Sequence, residues 1–120
     1  MTAPPEGERP AYKDHPLWNR AIALTRDAYS LADVIRARDV TTAMTLRRAA
    51  VSIPAHVAGA LTATGRRREE QALAARGALA EVARQARRDD SDQARRLESA
   101  AADLDARVLF DFTSEAGTFS

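Results

Sequence analysis

The chain has 120 residues, no cysteine, 45% hydrophobic and 29% charged side chains, and a formal net charge of +1. That length suits one domain, that composition excludes a disordered chain, and the missing thiols exclude disulfides, thiol catalysis and thiolate metal sites. Aromatics are only 5% and no apolar run nears the roughly 18–20 residues that span a bilayer, so packed helices are the expected class. The polar, proline-rich start does not read as a secretory signal, which makes the cytoplasm the expected location.

Residues 1–13, with Pro4, Pro5, Gly7 and Pro10, read as a flexible arm. Asp14 is the expected cap of a first helix and Pro16 suits its first turn. Leu17, Ala21, Leu24, Ala28, Leu31 and Ile35 then step by four and three, which is one apolar stripe of a helix. Trp18, Ile22, Tyr29 and Ala32 form a second stripe beside it, and the helix should end between Arg36 and Asp39. Thr41 or Thr42 is the expected cap of a second helix that runs to about Leu61. Its apolar residues lie nearly all round, apart from Arg47 and Arg48, as in a helix that is central in a bundle or shared with another subunit. Pro54 removes a backbone donor inside it and predicts a kink or a break, with Ser52 the nearest side chain to satisfy the disturbed backbone.

Thr62 to Gly65 reads as a turn, and Arg66 to Arg88 as a third helix with the seam Ala72, Ala75, Leu79, Val82 and Ala86. Asp89, Asp90, Ser91 and Asp92 form a turn and cap cluster. A fourth helix follows with Ala94, Leu97, Ala101, Leu104 and Val108 at the same spacing, Phe110 and Phe112 ending the packing, and residues 113–120 a frayed tail. Four helices joined by short connections make an all-α, antiparallel up-down-up-down four-helix bundle over residues 14–112 the expected architecture.

Charge is segregated along the chain. Residues 1–40 hold six basic and six acidic side chains, net 0; residues 41–88 hold nine arginines and three glutamates, net +6; residues 89–120 hold three arginines and eight acids, net −5. Either the acidic end neutralises the basic middle, within the fold or between subunits, or the basic middle faces an anionic partner.

Arg66, Arg67 and Arg68 open the third helix, where the helix dipole disfavours cations. Either Glu69 and Glu70 compensate them or nucleic acid does, and they are the leading candidates for phosphate contact. Arg47 and Arg48 point about 100° apart; each suits either an acid on a neighbouring helix or a phosphate. Arg76, Arg84, Arg87 and Arg88 share one side of the third helix with Glu70 and Glu81. No constellation for catalysis, metal binding or a cofactor is found: Ser52 lacks a nucleophile elbow, His15 and His56 lie far apart in sequence, and Asp89, Asp90 and Asp92 are explained as a turn and cap. His56 reads as a helix or interface histidine, and Trp18 and Tyr29 as core or interface packing rather than base-stacking platforms.

The segment Leu46-Arg47-Arg48-Ala49-Ala50-Val51-Ser52-Ile53-Pro54-Ala55 resembles the signature of a bacterial four helix bundle protein family. That family includes proteins encoded in intervening sequences of large-subunit ribosomal RNA genes and the accessory variability determinant proteins of diversity-generating retroelements. Trp18, Ala21, Leu24 and Tyr29 match its first helix, and Gly77, Leu79 and Glu81 its third. The family usually continues the motif with Asn-Ile-Ala-Glu-Gly, where this chain has His56-Val57-Ala58-Gly59-Ala60. The resemblance implies a ring-like homo-oligomer, typically a pentamer, with a basic surface or channel. It also implies an accessory role beside a reverse transcriptase and RNA or DNA, without enzymatic activity, membrane or small-molecule substrate. The expectation is therefore a non-catalytic oligomeric adaptor. Arg47, Arg48, Arg66, Arg67, Arg68, Arg76, Arg84, Arg87 and Arg88 would face nucleic acid, and Trp18, Tyr29, Val51, Ile53, Pro54 and His56 would serve core or subunit packing. The competing expectation is a protein-interaction scaffold whose arginines serve subunit interfaces.

Overall fold

A computed structural model describes residues 11–112; the expected arm is covered only from Ala11, and the expected tail lies outside the described residues. A short 3-10 turn, Ala11–Asp14, leads into α1 (Pro16–Ile35), α2 (Val40–Thr62), α3 (Gly65–Ala86) and α4 (Asp92–Phe112). The helices form the expected all-α four-helix bundle. α2 packs broadly on both α1 and α3, and α3 on α4, while α1 meets α4 along a narrower seam. None of the described helices is long and apolar enough to cross a membrane.

The three-four periodicity places the core. Every residue of the first stripe of α1, of the α3 seam and of the α4 stripe is buried, joined by Leu46, Ala50, Ile53 and Val57 of α2. Many of these positions are alanine, so the backbones approach closely and leucine, isoleucine and valine fill the remaining space. Phe112 closes one end of the core, whereas Phe110 is 64% exposed and does not end the packing.

Two caps differ from expectation. His15, not Asp14, caps α1: its Nδ1 accepts from the Leu17 N–H at 3.1 Å. Asp39, not Thr41 or Thr42, caps α2, accepting from the Thr42 N–H at 3.0 Å and from the Thr42 hydroxyl at 2.6 Å. Thr42 is thereby drawn inside the helix and buried. At α4 the cap lies within the expected cluster, where Ser91 Oγ accepts from the Ala94 N–H at 3.1 Å.

α2 runs unbroken through Pro54. The missing proline N–H leaves the Ala50 carbonyl without its helical donor, and a neighbouring helix supplies a replacement. Thr25 Oγ1 of α1 lies 3.1 Å from Ala50 O and 2.9 Å from Ala21 O, its one hydrogen shared between them. Ser52 plays no part in this, since its hydroxyl donates to Ala49 O at 3.0 Å.

Polar contacts bridge three of the four seams between adjacent helices. Arg47–Asp33 and Thr25–Ala50 join α1 to α2, His56–Gln71 joins α2 to α3, and Arg76–Asp105 and the contact of Arg87, the C-cap of α3, with Glu98 join α3 to α4, while Arg88 of the α3–α4 connection reaches Thr42 of α2. Among the described residues no ion pair spans the α1–α4 seam.

Candidate interaction surfaces

The fold disperses the nine arginines that the sequence offers for phosphate contact. Arg47 folds back over α1, its Nη1 3.3 Å from Asp33 Oδ1 and its guanidinium 4.4 Å above the Tyr29 ring. Arg76 Nε donates to Asp105 Oδ1 at 2.8 Å and Arg87 Nη1 to Glu98 Oε2 at 3.0 Å, so the acidic α4 takes up two arginines of α3. Arg84 pairs with Glu81 on its own helix. Arg88 Nε donates to Thr42 Oγ1 at 3.0 Å, and Arg68 lies 5.0 Å over the Phe112 ring. Arg48, Arg66 and Arg67 are exposed and have no partner among the described residues. Exposed ion pairs contribute only about 0–1 kcal/mol each, so these contacts aim the guanidiniums more than they hold the fold. Arg66 and Arg84 lie about 27 Å apart along α3, which leaves Arg66 and Arg67 as a local pair at one end of the bundle.

The packing candidates divide as well. Ile53 is fully buried, Trp18 rests half-buried on the core with the Tyr12 ring edge-on at 5.6 Å, and Tyr29 lies beneath Arg47. Pro54 is half-buried, but Val51 is 55% exposed. His56, also half-buried, has its Nδ1 3.1 Å from Gln71 Oε1. Gln71 crosses from α3 over Gly59, where an added Cβ would come within 2.7 Å of its Oε1. The chain thus places a His56–Gln71 pair seated on Gly59 where the resembled motif has asparagine and glutamate. Sequence reading missed this pair, because its partner lies on another helix at a register that periodicity does not fix.

Two further features concern whole faces. The outward side of α2 carries Val40, Met44, Arg48, Val51 and Ala55 at spacings of four, four, three and four, all exposed. Val40, Met44 and Val51 are each more than half exposed, and Arg48 is the only charged residue in the row. The second feature follows the narrow α1–α4 seam, where three adjoining cavities form a groove. The first is lined by Arg20 and Asp103, the second by Arg20 and Asp27 over Ala23, Leu24, Ala100 and Leu104, and the third by Asp27 and Arg96. The shared residues Arg20 and Asp27 make the groove continuous.

Comparison with protein-family models, curated proteins and solved structures finds no match to this chain.

Proposed function

We propose that the protein is a non-catalytic adaptor that works by association: copies assemble through an outer helix face and present arginines to nucleic acid or to an enzyme that acts on it. The observation that carries the reading is the outer row of α2. Exposed apolar residues gathered on one face of a small bundle support an interaction surface, and Val40, Met44 and Val51 lie along one face of one helix, with Arg48 between the last two. The reverse transcriptase partner and the ring form rest on the sequence resemblance alone. Phosphate contact is supported by Arg66 and Arg67, which are unpaired and close together at the start of α3.

Light scattering of the purified chain, with and without single-stranded RNA at low and moderate salt, tests both halves. A mass of several subunits is expected, together with RNA uptake that weakens as salt rises. Replacing Arg66 and Arg67 with alanine, while leaving Arg68 on its ring, should keep the assembly intact. It should also flatten the plot of log affinity against log salt by about 0.7 for each phosphate that is no longer neutralised. A specific observation favours a second reading, a scaffold that binds protein only. Arg47, Arg68, Arg76, Arg84, Arg87 and Arg88 are all already held by groups of the same chain. An assembly that ignores RNA at low salt would establish that scaffold reading in place of the first.

A further inference from the structure

Each wall of the α1–α4 groove carries one arginine and one aspartate: Arg20 and Asp27 on α1, Arg96 and Asp103 on α4. Within each pair the residues are seven apart, two helical turns, so they share one face of their helix about 10 Å from each other. Arg20 and Asp103 line one end of the groove together, and Asp27 and Arg96 the other. Opposite charges thus stand across the seam, yet it stays open. All four side chains are exposed, and none makes an ion pair or a hydrogen bond among the described residues. Between the charges the floor is low and apolar, made of Ala23, Leu24, Ala100 and Leu104.

This quartet is complementary to itself. A two-fold dimer buries the same patch of both copies against each other, and a second copy laid face down on the groove can keep its helices aligned in two ways. With the axis along the groove, Arg20 meets the partner's Asp103, and Asp27 meets the partner's Arg96. With the axis across the groove, Arg20 meets the partner's Asp27, and Arg96 meets the partner's Asp103. Every charge faces the opposite sign in either setting. The equal spacing on the two walls brings the pairs into register together, with the alanines of the floor back to back at the centre. Such charges fix register and exclude wrong partners more than they add affinity, while the small floor residues let the two surfaces approach. The face also has the extent required. α1 has 20 residues and α4 has 21, so it is about 30 Å long and about 22 Å wide, on the scale of the roughly 800 Å² that each partner of a standard interface buries.

We infer that the α1–α4 face is a two-fold contact between two copies of this chain, groove on groove, in which Arg20, Asp27, Arg96 and Asp103 of each copy pair with the opposite charges of the other. A contact of this kind closes at two copies. It uses a face other than the outer row of α2 and stands independently of the assembly proposed above.

Charge inversion tests it, at exposed positions only. Met44→Asp with Val51→Asp removes the outer row of α2 as a contact and isolates the groove; circular dichroism confirms the fold of this and every further variant. Light scattering should give twice the 13.0 kDa chain mass. Adding Asp27→Arg and Asp103→Arg makes the quartet wholly positive and should halve that mass. Inverting the quartet instead, with Arg20→Glu, Asp27→Arg, Arg96→Glu and Asp103→Arg, restores the alternation and should restore the dimer. An affinity-tagged copy with the original charges should then retain its own kind and leave the inverted one behind, since that mixture sets like charges opposite under either axis. A monomer in the isolated-groove variant overturns the inference, and a wild type that still assembles would leave the α2 reading standing. A dimer that survives the wholly positive quartet overturns the assigned face. An inverted variant that stays monomeric, or that is retained by the original, overturns the charge pairing.

Discussion

Two glycines of α3 respond in opposite ways to an added side chain. Gly65 begins the helix with φ +60°, and nothing lies within 4 Å of where its Cβ would be. Space is therefore no obstacle, and the whole penalty of a side chain is the left-handed backbone, about 1–2 kcal/mol. Gly77 lies in the helix interior at an exposed position, again with nothing within 4 Å of an added Cβ. There the helix gains the full propensity difference between alanine and glycine, about 1 kcal/mol. Gly65→Ala should thus lower, and Gly77→Ala raise, the free energy of unfolding by similar amounts. Urea melts at one fixed protein concentration decide it, and a loss of stability in Gly77→Ala would show that this face of α3 meets something the free chain lacks.

At the scale of the helix, Pro54 shows what a sequence can and cannot announce. The three-four spacing of Leu17 through Ile35 announced a buried stripe, because periodicity is a property of one helix alone. The tolerance of Pro54 depends on Thr25, which is separated from it in sequence and positioned by the α1–α2 register. The same reason hid the partners of Arg76 and Arg87, which only the α3–α4 register supplies. The caps differ for another reason: His15 stands beside Asp14, and Asp39 close to Thr41 and Thr42, all polar residues able to bond helix-start N–H groups, and spacing does not choose among them. The bond from Thr25 can be tested directly. Thr25→Val leaves the Ala50 carbonyl without a donor and should destabilise the protein by about 1–3 kcal/mol. In a Pro54→Ala background the helix supplies its own N–H, so the same Thr25→Val change should lose much of its effect. A double-mutant cycle by chemical denaturation measures the coupling, and equal losses in both backgrounds would refute the role given to Thr25.

For the whole molecule, the bundle and its buried stripes were legible in the sequence, while the open α1–α4 seam was not, since it depends on how four helices settle around alanine-rich contacts. One end of the bundle is nonetheless closed by a defined polar cluster. Arg38 of the α1–α2 connection pairs with Asp89 of the α3–α4 connection, and Thr42 stands between Asp39 and Arg88, giving a hydrogen bond to one and taking one from the other. These contacts tie the first helical hairpin to the second. The Thr42 hydroxyl and N–H, with help from Arg88 and Arg38, hold the Asp39 carboxyl below its ordinary value of 3.8. The Ser91 hydroxyl, then Arg38, does the same for Asp89. A carboxyl more acidic in the folded than in the unfolded chain adds stability above the unfolded value, and that stability is lost as pH falls through the folded one. The bundle should therefore hold its stability from neutrality down to about pH 4 and weaken below it as the unfolded state takes up protons first. Replacing Asp39 and Asp89 together with asparagine should lower stability at neutral pH and flatten the acid limb, so that variant and wild type converge at low pH. Denaturation midpoints taken across that range would distinguish the outcomes: curves that stay parallel to the lowest pH would place the acid sensitivity in other carboxylates and leave this cluster a matter of shape alone.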